Sequence, residues 1–168
     1  MMSIMPTPLD IDPVLAEYSG PRPECSIAHA LDVLSTRSSF LLLREAFYGA
    51  TRFEDFARRV GISDPVTSAR LKELVAAGLL RREPYQEPGQ RTRYAYALTE
   101  KGAELLPVLT SLLNWGDRWR DDGRAGPVQL SHLGCGEPVE VQLRCAAGHE
   151  VPADGIHVGL RRRVAAAG

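Results

Sequence analysis

Cations, hydroxyls and small side chains crowd one stretch of this chain in a pattern suited to holding a polyanion. Residues 51–101 carry ten basic side chains (Arg52, Arg58, Arg59, Arg70, Lys72, Arg81, Arg82, Arg91, Arg93, Lys101) against seven acids (Glu54, Asp55, Asp64, Glu73, Glu83, Glu87, Glu100). That is a local surplus of three on a 168-residue chain whose formal net charge is −1. Guanidinium and ammonium groups bind phosphate oxygens, and a hydroxyl at a helix start adds a donor beside outward-pointing amides. Arg52 and Ser63 each stand at an expected helix start, and Arg91 and Arg93 flank a Pro-Gly tip, so all four suit phosphate contacts. Between them lies a segment whose Leu71, Leu74 and Val75 belong to a core, leaving Asp64, Pro65, Ser68, Ala69 and Lys72 toward solvent. There the Ser68 hydroxyl suits a base edge, the Ala69 methyl a thymine methyl, and Arg70 or Lys72 a guanine or a phosphate. The chemistry indicated is groove and backbone recognition of double-stranded DNA.

The thiols and imidazoles offer other chemistry. Cys25 opens a helical segment, where the helix N-terminus lowers a thiol's pKa, so it is a candidate redox sensor. With no resolving cysteine nearby in sequence, the plainer reading is a half-buried helix-start residue. His132-x-x-Cys135 and Cys145-x-x-x-His149 supply two cysteines and two histidines on paired turns, a set that could hold structural zinc tetrahedrally. The second half is imperfect, because Gly148 stands where a Cys-x-x-Cys pair would place its second thiol. The favoured assignment is ordinary packed residues with no metal and no cofactor; His29 and His157 are structural or surface residues. No Gly-rich phosphate loop, no Gly-x-Ser-x-Gly and no framed carboxylate pair occurs, so an enzyme is not expected.

Composition bounds the class. Three cysteines are too few for a secreted disulfide scaffold, and MMSIMPTPLDIDP lacks the basic and apolar regions of a signal peptide. No apolar run reaches the length of a membrane span. A cytoplasmic protein without membrane contact is the expectation.

The elements that must position these residues follow from periodicity. Residues 1–24 are proline-rich and read as an N-terminal arm. Helical spacing appears in 25–34, in 38–47, which is apolar nearly all round, and in 53–60, which Gly61 stops. Ser63 N-caps the next helix, with Asp64 and Pro65 in its first turn and Gly78 at its end. Residues 79–85 and 93–98 pair as a hairpin around Glu87-Pro88-Gly89-Gln90. Thr99 opens a long helical stretch in which Leu105, Leu109, Leu112 and Trp119 form a stripe and Pro107 starts or kinks the main part. Beyond Asp121-Asp122-Gly123, a solvated helix end, short β-like segments alternate with turns.

Helix, tight Gly61-Ile62-Ser63 turn, helix and basic-tipped hairpin outline a winged helix. The chain resembles the HxlR-type winged-helix transcription regulators from about residue 25 to 119. The resemblance rests on Cys25, Ala30-Leu31-Asp32-Val33-Leu34, Leu43-Arg44-Glu45 with Phe47 and Gly49, Arg52-Phe53, and Gly61-Ile62-Ser63. It continues through Arg70-Leu71-Lys72-Glu73-Leu74, Gly78-Leu79, Tyr94, Tyr96-Ala97-Leu98-Thr99-Glu100-Lys101-Gly102 and Trp115-Gly116. Arg37-Ser38 stand where the family usually has Lys-Trp. The resemblance implies a homodimer, joined through its first and last helices, that binds a two-fold DNA operator as repressor or activator. In some members a cysteine matching Cys25 senses oxidants or electrophiles.

The expected fold is α+β, mainly α: a winged helix-turn-helix with a long C-terminal dimerisation helix and a small β-rich C-terminal extension. Its parts are an arm (1–24), a DNA-binding and dimerisation domain (25–122) and the extension (123–168). The expected function is DNA-binding transcription regulation, switched by a small-molecule effector or by thiol modification. The alternative is a winged-helix adaptor that docks on protein or binds zinc without specific DNA binding.

Overall fold

The computed structural model describes residues 9–17, 25–34, 36–86, 89 and 91–160. In chain order the elements are β1 (Asp10–Ile11), α1 (Pro13–Ala16), α2 (Ser26–Leu34), α3 (Arg37–Phe47), α4 (Phe53–Val60) and α5 (Asp64–Ala76). Then come β2 (Leu80–Tyr85), β3 (Arg93–Leu98), α6 (Glu100–Ala103), α7 (Leu106–Arg118), a 3₁₀ turn (Ala153–Gly155) and β4 (His157–Val158). Helix dominates, as the periodicity indicates. No helix among the described residues is long and apolar enough to cross a membrane.

Two compact units result, one of residues 24–140 and the other of residues 1–23 with 141–168. By packing, residues 123–140 go with the larger unit, and the described part of the arm goes with residues 141–160. In that body β1 runs parallel to β4, pairing Asp10 with His157 and Ile11 with Val158. The His157 imidazole donates from Nδ1 to the Asp10 carboxylate at 2.8 Å. Segments expected to be β-like between 127 and 158 are mostly turns with isolated bridges, Ser131 to Pro138 and Arg144 to Glu150, beside the two-residue β4. They are too short and too exposed to bury a sheet face.

The larger unit is organised on α3, which touches α4, α5, β3 and α7. Thr36 caps it, its hydroxyl accepting from Ser39 N at 3.2 Å. Leu42 and Leu43 of α3 join Leu34, Ala50, Phe56, Leu71, Leu74, Leu79 and Leu80 in the core. Full burial of each of the larger side chains stabilises the fold by roughly 2 kcal/mol. Glu45 is also buried, and its carboxylate is held by Arg44 at 2.6 Å and Arg59 at 3.8 Å. A buried carboxylate without such partners would be strongly destabilising.

The hairpin β2–β3 pairs antiparallel from Leu80–Leu98 at its base to Tyr85–Arg93. Of the expected tip, only Gly89 lies within the described residues; Glu87, Pro88 and Gln90 fall outside them. At the hairpin base Thr99 caps α6, accepting from Gly102 N at 3.0 Å and donating to Gly78 O at 2.6 Å. Gly102 packs so closely there that a Cβ would sit 2.1 Å from Leu79 O. Pro107 occupies the first turn of α7, so it starts the main helix rather than kinking it. Leu105 and Leu109 pack on the core, whereas Leu112 and Trp119 are exposed. The stripe expected from spacing therefore splits between two faces.

Candidate nucleic-acid interface

The turn between α4 and α5 is set by Gly61, whose φ of +71 ends α4 in the left-handed region that glycine adopts without strain. Helix α5 then buries Thr67, Leu71 and Leu74, spaced i, i+4, i+7, against the core. Its opposite face is exposed at Asp64, Pro65, Val66, Ala69, Lys72 and Glu73. Ser63 sits at the N-cap position but makes no side-chain capping bond; the Thr67 hydroxyl donates to its carbonyl at 3.1 Å instead. Ser63 is exposed, with its hydroxyl uncommitted to a cap. Because Pro65 has no N–H and Thr67 N bonds Ser63 O at 2.9 Å, only the Asp64 and Val66 amides of the first turn are left to meet a phosphate beside it.

Each expected contact residue has a defined setting. Pro65 and Ala69 are exposed and Ser68 is half-buried. Arg70 is also half-buried and forms an ion pair with Glu73 one turn along. Lys72 is exposed, with no ion-pair partner among the described residues. Arg52 stands at the N-cap of α4, its guanidinium 4.6 Å from the centre of the Tyr85 ring. Arg93 pairs with Glu54 at 3.3 Å, while Arg91 is exposed without a carboxylate partner among the described residues. Surface pairs such as Arg70–Glu73 and Arg93–Glu54 are worth little, so a phosphate can displace the carboxylate at small cost.

Sequence reasoning passed over two residues. Val66 is 41% exposed on the first turn of α5, an apolar group available to a thymine methyl. The signal was its position off the Thr67, Leu71, Leu74 stripe. Arg82 lies 3.7 Å over the Tyr94 ring, a stacked geometry that orients the guanidinium. Arg82 pairs across the hairpin with Tyr96, which makes Tyr94 its diagonal neighbour. Lys101 has a structural task instead: its ammonium donates to Ala77 O at the end of α5, at 2.8 Å.

The hairpin and the helix pair are tied together. Tyr96 N donates to Thr51 O at 2.7 Å, Arg52 bridges Ala95, and the Phe56 and Tyr96 rings meet edge to face at 5.9 Å. An α5 surface with a free N-terminal turn, flanked by a hairpin bearing Arg82, Arg91 and Arg93, can place a helix in a major groove and cations on its walls.

The other candidates are separate from this surface. Cys25 is half-buried just ahead of α2. His132 Nδ1 and Cys135 Sγ lie 3.2 Å apart, and Cys145 Sγ and His149 Nδ1 lie 3.6 Å apart. Among the described residues no three His, Cys, Asp or Glu side chains gather in a metal-holding group. Beyond α7, Arg120 grips Asp122 with two bonds of 3.1 and 3.0 Å. With the Arg124 amide also donating, this lowers the Asp122 carboxyl to a pKa of about 2.

Comparison with known proteins supplies a frame. Residues 33–124 match the family profile described as HxlR-like helix-turn-helix. An uncharacterised HTH-type transcriptional regulator of Mycobacterium tuberculosis is 39% identical over 129 residues, covering 76% of this chain and 80% of that one. The crystal structure of PA1607, classed provisionally as a transcription factor, superposes with a TM-score of 0.70 at 32% identity, over 82% of this chain and 96% of that one. The redox regulator HypR in its oxidised form matches with a TM-score of 0.53 at 31% identity, over 58% and 99% of the two chains.

Proposed function

This chain belongs to the HxlR-like helix-turn-helix family, and from that premise we propose that it is a sequence-specific DNA-binding transcription regulator acting as a homodimer. The observation that carries the reading is the exposed N-terminal half of α5, with Pro65, Val66, Ala69 and Lys72 outward, beside the Arg82/Arg91/Arg93 hairpin. Arg52 and Ser63 would hold phosphates on one side and the hairpin cations on the other, while Ser68, Ala69 and Arg70 read or support the groove contact.

The dimer reading is supported by α7. Val108, Leu112, Trp115 and Trp119 follow i, i+4, i+7, i+11 and are all between 44% and 67% exposed. On α2, Ile27 and Leu31 are exposed as well. Large apolar side chains repeated along exposed faces are the usual mark of an interaction surface, and a second copy would bury them. Two-fold symmetry would then present two α5 helices to half-sites about one helical turn apart. The protein would act in the cytoplasm as a repressor or activator, without catalysis.

Switching would act through a small-molecule effector or through Cys25. The likeness to HypR, a redox regulator, supports the thiol reading, and Cys25 adjoins α2 with its exposed apolar face. The test is fluorescence anisotropy on a duplex selected by the protein from a random pool, at about 50 and 200 mM salt. Competitor-resistant binding that weakens steeply with salt, and is lost on combined Arg70, Arg91 and Arg93 to Ala substitution, is the expected result. Failure to enrich any duplex, under reducing and oxidising conditions alike, would leave a protein-docking role.

A further inference from the structure

The outward face of α5 has a composition as well as a direction. Pro65, Ala69 and Lys72 repeat the i, i+4, i+7 spacing of the buried Thr67, Leu71 and Leu74, and lie across the helix from them. Val66, 41% exposed, adjoins Ala69 one turn along. The N-terminal half, the part of a recognition helix that reaches base edges, thus presents Asp64, Pro65, Val66 and Ala69. Pro65, Val66 and Ala69 have no hydrogen-bonding side chain, and the Asp64 carboxylate only accepts. Helix α5 contains no Asn, Gln or His, and its one arginine, Arg70, is half-buried and paired with Glu73.

That set decides which base can pack against it. In the major groove guanine shows two acceptors, and adenine an acceptor beside a donor. Neither finds a partner on Pro65, Val66 or Ala69, and a polar group buried without one weakens binding. Cytosine shows a donor and a bare C5–H. Only thymine presents an apolar group there, its C5 methyl. The cations that suit phosphates stand on other elements, Arg52 at the start of α4 and Arg82 and Arg91 in the hairpin. Backbone grip and base choice are thus carried by different side chains.

We propose that α5 selects its DNA by thymine methyl groups: the half-site presents at least two thymines in the major groove, one packed on Val66 and one on Ala69 with Pro65. The inference rests on the DNA-binding reading above and gives that reading a ligand class, a duplex whose specified bases are T·A pairs read by methyl contact rather than by hydrogen bonds. Ala69, with a single methyl, lets the backbone of α5 approach the base edges closely. Lys72, one turn beyond Ala69, then meets a phosphate of the same groove. Uracil differs from thymine only by the missing methyl, so replacing one with the other leaves charge and base pairing intact and removes the contact alone.

The test remakes the duplex selected from a random pool with deoxyuridine at each thymine of a half-site in turn, and reads binding of the full chain by fluorescence anisotropy at two salt concentrations. The expected result is a loss of about fourfold in affinity at two or more positions, with the salt dependence unchanged. At those positions 5-bromodeoxyuridine, whose bromine fills the volume of the methyl, should restore affinity to within about twofold. In Val66→Ala one sensitive position should become insensitive, because the methyl has lost the group it packs on and the two losses do not add. The scan on the wild-type chain stands whatever that variant does. A selected half-site without thymine on either strand overturns the methyl reading and leaves DNA binding standing. So does uracil tolerated at every position by a protein that still rejects scrambled duplex, and so does a uracil loss that bromouracil fails to relieve. An unaltered uracil response in Val66→Ala at every position overturns the placement on Val66. Failure to enrich any duplex is a failure of the DNA-binding reading, and this inference falls with it.

Discussion

On the proposed reading, Val66 and Lys72 divide the work on α5 by kind. Val66 offers a methyl face on the first turn, while Lys72 offers a charge without a carboxylate partner among the described residues. Lys72→Ala should weaken every duplex about equally and lower the salt slope by about one, as expected of a lost phosphate contact. Val66→Ala should leave the slope unchanged and cost about 1 kcal/mol on the preferred sequence alone. Anisotropy on preferred and scrambled duplexes at several salt concentrations separates the two. A second residue-scale prediction concerns Asp122, whose carboxyl is lowered chiefly by the Arg120 hydrogen bonds. A carboxyl-detected NMR titration should find its midpoint at about 2, moving back toward 3.8 in Arg120→Gln. Because the folded value is depressed, any stabilisation by this clasp is present above the ordinary carboxylate range and fades only as pH falls toward 2. Exposure was legible in the sequence at Lys72, Arg91 and Ala69, from charge and from spacing off the apolar stripe. Whether a cation is engaged, as Arg70 is by Glu73 and Arg93 by Glu54, depends on rotamers that spacing does not specify.

Elements were read more securely than residues, because periodicity and punctuation are local. Both hairpin strands, the Gly61 stop and the Pro107 helix start fall where Gly, Pro and alternation put them. What escaped was the partition of α7. Leu105 and Leu109 turn inward and Leu112 and Trp119 outward, because the inward face of α7 runs through Leu109, Thr110 and Leu113 and Leu112 lies off it. The β-like reading of 127–158 also failed locally, since alternation without a face to bury makes turns and single bridges. The junction of β3 and α6 yields a sharp test. Any side chain at residue 102 collides with Leu79 O, so Gly102→Ala must displace the backbone that joins hairpin to helix. The loss should be about 3 kcal/mol in urea unfolding. Thr99→Ala removes the Gly78 and Gly102 bonds and should cost about 1–2 kcal/mol by the same measurement.

For the whole molecule, the proposed dimer makes the exposed α7 face the feature on which most depends. Trp115→Glu places a charge at the centre of that face without touching the buried core. Sedimentation should show a dimer converted to a monomer, with binding to a two-fold duplex weakened by at least about a hundredfold and half-site binding little changed. Helical melting should stay near that of the wild type. The pairing of the two chain ends was not legible at all, since β1 and β4 are two residues each and carry no signal of one another. It also has a consequence in time. Asp10 and His157 are 147 residues apart. At roughly 5–20 residues per second of synthesis, Asp10 is joined to the chain roughly 7–30 s before its partner has been made. The larger unit ends at residue 140, before His157, so its synthesis is finished roughly 1–3 s before Asp10 can find its partner, and its core has that interval to form alone.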